Sequence, residues 1–111
     1  MQYALLIYGR PAEPQGPISD PIAAILARPS VGGWARLHAD ESATTLRAQP
    51  EGRTIVTDGP FIDSKEYLAG LIMVEAANLD EALAIAQDFQ DTRTSGAIEI
   101  RPVVESGFRG A

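Results

Sequence analysis

The 111-residue chain has no cysteine, a single histidine, a single tryptophan and a single lysine. Without cysteine it has neither disulfides nor thiolate metal sites, a usage that fits a reducing cytosol. The lone histidine, His38, has only Asp40 and Glu41 near it as oxygen ligands. A metal centre needs three or more convergent ligands, so no metal is expected. Haem ligation through a residue that follows a strand is equally unexpected. Basic residues are few and scattered: nine Lys and Arg stand against fifteen Asp and Glu, for a formal charge of −6. Phosphate contacts need clustered cations, which excludes a nucleic-acid partner. No apolar run approaches the roughly 20 residues that cross a bilayer. The apolar part of MQYALLIYGR is too short for a signal peptide and has no basic residue ahead of it, so a cytoplasmic protein is expected. Also missing are GxGxxG, P-loop and GxSxG motifs, and the serines have no evident histidine partner in sequence. No cofactor is expected.

What is present is a patterned single domain. With 45% apolar residues, the chain suits one hydrophobic core. Residues 1–105 are expected to form it and 106–111 to be a frayed, flexible tail. YALLIY (3–8) is a continuous apolar run closed by Gly9, the mark of a strand buried on both faces. Four of the eight prolines crowd residues 10–21, which read as a loop. Asp20 as N-cap and Pro21 at the first helical position open a short helix that ends before Pro29. Gly32 and Gly33 punctuate the entry to a strand from Trp34 to Leu37. SATTLRA and RTIVT, separated by QPEG, read as a hairpin. YLAGLIMVEA is the second continuous apolar strand. Asn78 then opens a capping box in which Glu81 reaches back to the Asn78 amide. Leu79, Ala82, Leu83, Ala86 and Phe89 supply the apolar stripe of the helix that follows. Residues 92–96 are a loop, and AIEIRPV is a last strand with Ile98 and Ile100 on one face.

With the hairpin set aside, the order is βαββαβ, an α+β, ferredoxin-like arrangement with strand order 4-1-3-2 and both helices on one face. The central strands are then YALLIY and LAGLIMV. A strand wet on one side alternates apolar with polar residues, and these do not. Tyr3, Leu5 and Ile7 oppose Ala4, Leu6 and Tyr8, while Leu71 and Met73 oppose Gly70, Ile72 and Val74. Leaving one such row bare exposes an apolar patch on the order of several hundred Å². A homodimer packed through the open sheet face is the expected cover.

VTDGPF (56–61), followed by DSKEYLAG and VEAANLDEALAIA, resembles the DGPF branch of the YCII-related family. LLIYG, VGGWARL, ATTLR and IEIRPV extend the likeness over nearly the whole chain. The resemblance implies a ferredoxin-like domain whose dimers close into an α/β barrel. It implies an enzyme or a ligand-binding protein, sometimes associated with transcription, and names no substrate. The wider family's helix-borne His–Asp dyad does not carry over, because His38 follows a strand and the first helix holds no histidine.

The candidate site is the stretch TDGPFIDSKEYLAG. Asp58, Gly59 and Pro60 make a turn through an Asx-type cap, a permissive backbone and a fixed φ. In a functional reading Asp58 is a general base or hydrogen-bond acceptor at a cleft, and His38 is the other acid–base candidate. A basic carboxylate needs partial burial, whereas Lys65 nearby would hold it ionised and favour binding. Lys65 and Glu66 point to opposite sides of the chain. Lys65 meets an anionic ligand or pairs with Asp63 or Asp58. Phe61 plugs the core or a dimer seam, and the Tyr8 hydroxyl lines a cavity mouth. Two functions follow. One is a small dimeric enzyme acting on a small organic molecule by acid–base chemistry beside this loop. The other is a non-catalytic small-ligand-binding or regulatory module, possible because catalytic groups are so few. A third role is as a structural partner in transcription.

Overall fold

The computed structural model describes residues 1–10, 16–62 and 65–108. The middle of the expected 10–21 loop, the Asp63 partnership of Lys65 and the end of the expected tail lie outside the described residues. The elements are β1 (Gln2–Gly9), α1 (Asp20–Leu26), β2 (Val31–Arg36), a 3₁₀ turn (Asp40–Ser42), β3 (Thr44–Ala48), β4 (Thr54–Asp58), β5 (Tyr67–Glu75), α2 (Leu79–Gln90) and β6 (Ala97–Pro102). Four strands form one antiparallel sheet in the order β2-β5-β1-β6, while β3 and β4 pair separately as a hairpin. The chain is thus α+β, with the two longest apolar runs at the centre of its sheet.

One face of that sheet is fully dressed. Tyr3, Leu5 and Ile7 of β1 and Ile72 and Val74 of β5 are buried against Ile25 of α1 and Ala82, Ala86 and Phe89 of α2. Ile98 and Ile100 of β6 join from the edge, on the single face their alternation requires. On the opposite face Ala4, Leu6 and Tyr8 are only half-buried. Within one chain, therefore, β1 is sealed on one side and partly open on the other. An exposed ion pair from Arg28, just past α1, to Asp88 of α2 (2.9 Å) lies at the surface, a contact that adds little stability.

Several local expectations are corrected. Ser19, not Asp20, is the extended N-cap of α1, which moves Pro21 to the second helical position. Its fixed φ suits that first turn, where its missing N–H is not needed. The strand β2 begins at Val31 rather than Trp34. The register with β5 slips between Val31 and Gly33, so Gly32 is absorbed as a bulge and the two glycines lie inside the strand. At α2, Asn78 Oδ1 accepts from the Glu81 amide at 3.0 Å, as a capping box requires, but Glu81 Oε2 accepts from the Ala77 amide instead of that of Asn78. Leu79 and Leu83 remain about half exposed, because Ala82, Ala86 and Phe89 already fill the stripe facing the sheet. The hairpin follows expectation, turning through Gly52 at φ +87°.

Gly70 carries the tightest constraint in the sheet. A Cβ there would lie 2.6 Å from the Ala35 carbonyl oxygen, which is backbone and fixed by the β2–β5 ladder. Gly33 has nothing within 4 Å of such a position. Gly70→Ala is expected to lower unfolding stability by about 1–3 kcal/mol, the usual range for overpacking. Gly33→Ala should stay near neutral. Paired urea melts check this, and equal stability of the two variants would contradict the close approach.

Candidate functional site

The site begins with a slip in the central strand pair. From Gln2 to Ile7, β1 runs in register with β5, the last pair being Ile7 and Gly70; the next pair is Tyr8 and Leu68, leaving Ala69 unpaired. Residues directly across an antiparallel pair share a face. The bulge therefore turns Tyr67, paired with Gly9, toward the helices and Leu68 toward the open face. Burial agrees: Tyr67 is 8% exposed and Leu68 is 37% exposed. On the other side of β5, Trp34 pairs with Ile72 and Arg36 with Gly70, so both aim toward the helix side.

Between α1, β2, β5 and the end of α2 this arrangement leaves a cavity of about 380 Å³. Ile22 and Leu26 wall it from α1, Trp34 from β2 and Phe89 from α2, with Gly70 and Ile72 beneath. Gly70 matters twice here, since it lets β2 approach and puts no side chain into the space. Among the described lining residues the polar ones are few: Ser19, Arg36, Tyr67 and Arg93, with no Asp, Glu, His or Lys. Arg36 donates from Nη2 to the Gly16 carbonyl oxygen at 2.7 Å, which holds the guanidinium at the rim. Arg93 donates from Nη2 to the Tyr8 carbonyl oxygen at 2.7 Å and from Nη1 to Gln90 Oε1 at 3.4 Å. The Ser19 hydroxyl makes no cap hydrogen bond. The Tyr67 hydroxyl has no hydrogen-bond partner among the described residues although its side chain is more than nine-tenths buried. That hydroxyl is not sealed in protein either, since no buried side-chain polar atom among the described residues lacks a partner. Tyr67 is one of the residues that line the cavity.

The eight residues singled out from sequence lie elsewhere, and none of them lines this space. Asp58 ends β4 and is exposed. Gly59 takes φ +100°, its amide donates to the Ala43 carbonyl oxygen at 2.7 Å, and its own carbonyl accepts from Thr45 Oγ1 at 2.8 Å. The loop is thereby stitched to the start of the hairpin. Pro60 is half-buried, and Phe61 is 63% exposed with the Arg47 guanidinium 5.1 Å above its ring. Lys65, Glu66 and His38 are exposed. Tyr8 stands on the open face, where its hydroxyl donates to Glu99 Oε1 at 3.3 Å. Burial first, and then the Glu99 charge and hydrogen bond, raise its phenol pKa above the ordinary value, with Arg101 opposing. Among the described residues no three His, Asp or Glu side chains gather as metal ligands, and no helix is long and apolar enough to cross a membrane.

The cavity's polar residues carried one legible signal. Trp34 and Arg36 are two apart in a strand, so they share a face, and that face lies under helices. An arginine on such a face marks either an error of orientation or a cavity.

Over residues 1–106 the sequence matches the YCII-related domain, and the chain belongs to that family. A similar protein is the uncharacterized protein R00369 of Rhizobium meliloti (strain 1021), 45% identical over 74 residues. That stretch is 66% of this chain and 59% of the relative, so the likeness spans less than two thirds of the relative's own length.

Proposed function

We propose that this YCII-related chain binds a small organic molecule in the helix-side cavity without transforming it. The observation that carries this reading is the helix-side cavity of about 380 Å³, lined mainly by apolar residues with Ser19, Arg36, Tyr67 and Arg93 as its few described polar ones. Pockets of this kind, mostly hydrophobic with a few convergent polar groups, are where small ligands bind. Among the described residues the lining holds no carboxylate, imidazole, amine or thiol that would serve as the base of an acid–base reaction. The D-G-P-F corner serves a different end in this reading: Gly59 and Pro60 fix the exit of the hairpin, and Asp58, Lys65 and Glu66 are solvated around it. A thermal-shift screen with small metabolites tests the proposal. A ligand present at 100 times its Kd stabilises the fold by about 2.7 kcal/mol, and it should be recovered unchanged by mass spectrometry. Asp58→Asn is expected to leave the ligand-induced shift in Tm within error of the parent protein. Consumption of the ligand, with loss of turnover in Asp58→Asn, would instead support an acid–base enzyme centred on that corner.

We also propose that two copies of this ferredoxin-like unit meet through the open sheet face as a dimeric α/β barrel. Support comes from the half-buried Leu6 and Leu71 and the exposed Leu68, three leucines on the face away from the helices. The hairpin adds Leu46 and Val56, and the corner adds Phe61 and Ile62, all more than 60% exposed. Covering such surface contributes about 25 cal/mol per Å², against the cost of association. Sedimentation velocity should give a dimer for the parent chain and a folded monomer for Leu68→Lys. A monomeric parent chain at tens of micromolar would remove this part of the reading.

A further inference from the structure

The electrostatics of the cavity are opposite to those of the molecule around it. The chain carries a formal charge of −6, yet among the described residues the only formally charged side chains lining the cavity are the cations Arg36 and Arg93. Neither has an ion-pair partner among the described residues, where the ion pairs are Met1–Glu75 and Arg28–Asp88. Arg36 is exposed at the rim and Arg93 is half-buried, and with no carboxylate among the described lining residues the two present a cationic mouth to an anion from solvent.

The two guanidiniums are differently placed. Arg93 spends its fork on the Tyr8 carbonyl and Gln90, and is wedged over Gly96, where a Cβ would collide with it. It is a fixed part of the wall. Arg36 makes one hydrogen bond among the described residues, from Nη2 to Gly16, and its remaining N–H donors are available. Tyr67, whose hydroxyl has no hydrogen-bond partner among the described residues, lies on the same side of the sheet as Arg36, because Gly9 and Gly70, their cross-strand partners, both continue the helix-facing row of Ile7.

We infer that the ligand is a small monocarboxylate with a flat or branched apolar body. This rests on the cavity reading above and gives it a chemical class. A carboxylate is planar and accepts two parallel N–H bonds from a guanidinium, and its second oxygen can take the Tyr67 hydroxyl as a further donor. The body then packs on Trp34 and against Ile22 and Leu26 of α1. A sugar phosphate or other multiply charged anion would leave its hydroxyls or extra charge facing Leu26, Ile72 and Phe89, where burial of unpaired polar groups is costly.

Trp34 is the only tryptophan in the chain and lines the cavity, so its fluorescence reports occupancy without a label. Phenylacetate, 3-phenylpropionate and isovalerate are titrated against the full chain, alongside their primary amides and phenethylamine. The carboxylates are expected to bind at least about tenfold more tightly than the matched amides. Arg36→Gln should bring that ratio close to one while leaving amide affinity unchanged. Tyr67→Phe, which keeps the ring, should weaken the carboxylates about threefold to tenfold and the amides little. Amides or phenethylamine binding as tightly as the carboxylates would overturn the carboxylate inference and leave the cavity as a ligand site. No change in Trp34 emission with any compound would overturn both. If Arg36→Gln unfolds the chain, Tyr67→Phe and the amide comparison in the parent protein still decide the matter.

Discussion

The antiparallel pairing of β1 with β5, slipped by one residue beyond Ile7, governs the rest of the molecule. Up to Ile7 the pair is regular and lays Tyr3, Leu5, Ile7, Ile72 and Val74 under the helices as a core. Beyond it the unpaired Ala69 reverses which residues of β5 face inward. Tyr67 enters the helix side and Leu68 goes to the other face. With a constant two-residue period the reverse would hold: an aliphatic chain would cap the core and a tyrosine would face outward. Gly70, beside the slip, admits β2 to a distance no side chain would allow. A cavity lined by Tyr67 follows from one bulge and one glycine.

The core and the order of its strands were legible in sequence because they depend on signals that repeat. Apolar runs at 3–8 and 67–76, an N-L-D-E start at Asn78 and alternation at Ile98 and Ile100 each describe a whole element. The hairpin was equally plain from its β-branched runs and turn residues. The cavity was not, for two physical reasons. Bulges change facing parity without leaving a local mark beyond a glycine or a small residue: Gly32 reads as punctuation ahead of a strand, and Ala69 passes as an ordinary strand position. The polar set also converges from Ser19, Arg36, Tyr67 and Arg93, four separate stretches of chain. Turn chemistry, by contrast, is entirely local, so Asp58, Gly59 and Pro60 drew the eye. They do form a turn, stitched to Ala43 and Thr45, at the end of the hairpin and not on the cavity wall.

The two faces of the sheet thus divide the labour in sequence terms as well. The helix face carries the packed core and a recess whose described charged groups are cationic in an acidic chain. The open face carries leucines, Tyr8 and the Glu99 carboxylate, and the hairpin beside it holds apolar residues that a lone copy leaves in water. Membership of the YCII-related family ties both halves to one domain spanning residues 1–106.

Chemical-shift mapping locates the ligand site most directly. Adding phenylacetate to the uniformly ¹⁵N-labelled chain is expected to move the Trp34 indole N–H and the Arg36, Tyr67 and Gly70 amides, with Gly59 and Phe61 unmoved. Shifts gathered at Asp58–Phe61, with the Trp34 and Gly70 signals still, would contradict a helix-side site and return the function to the D-G-P-F corner.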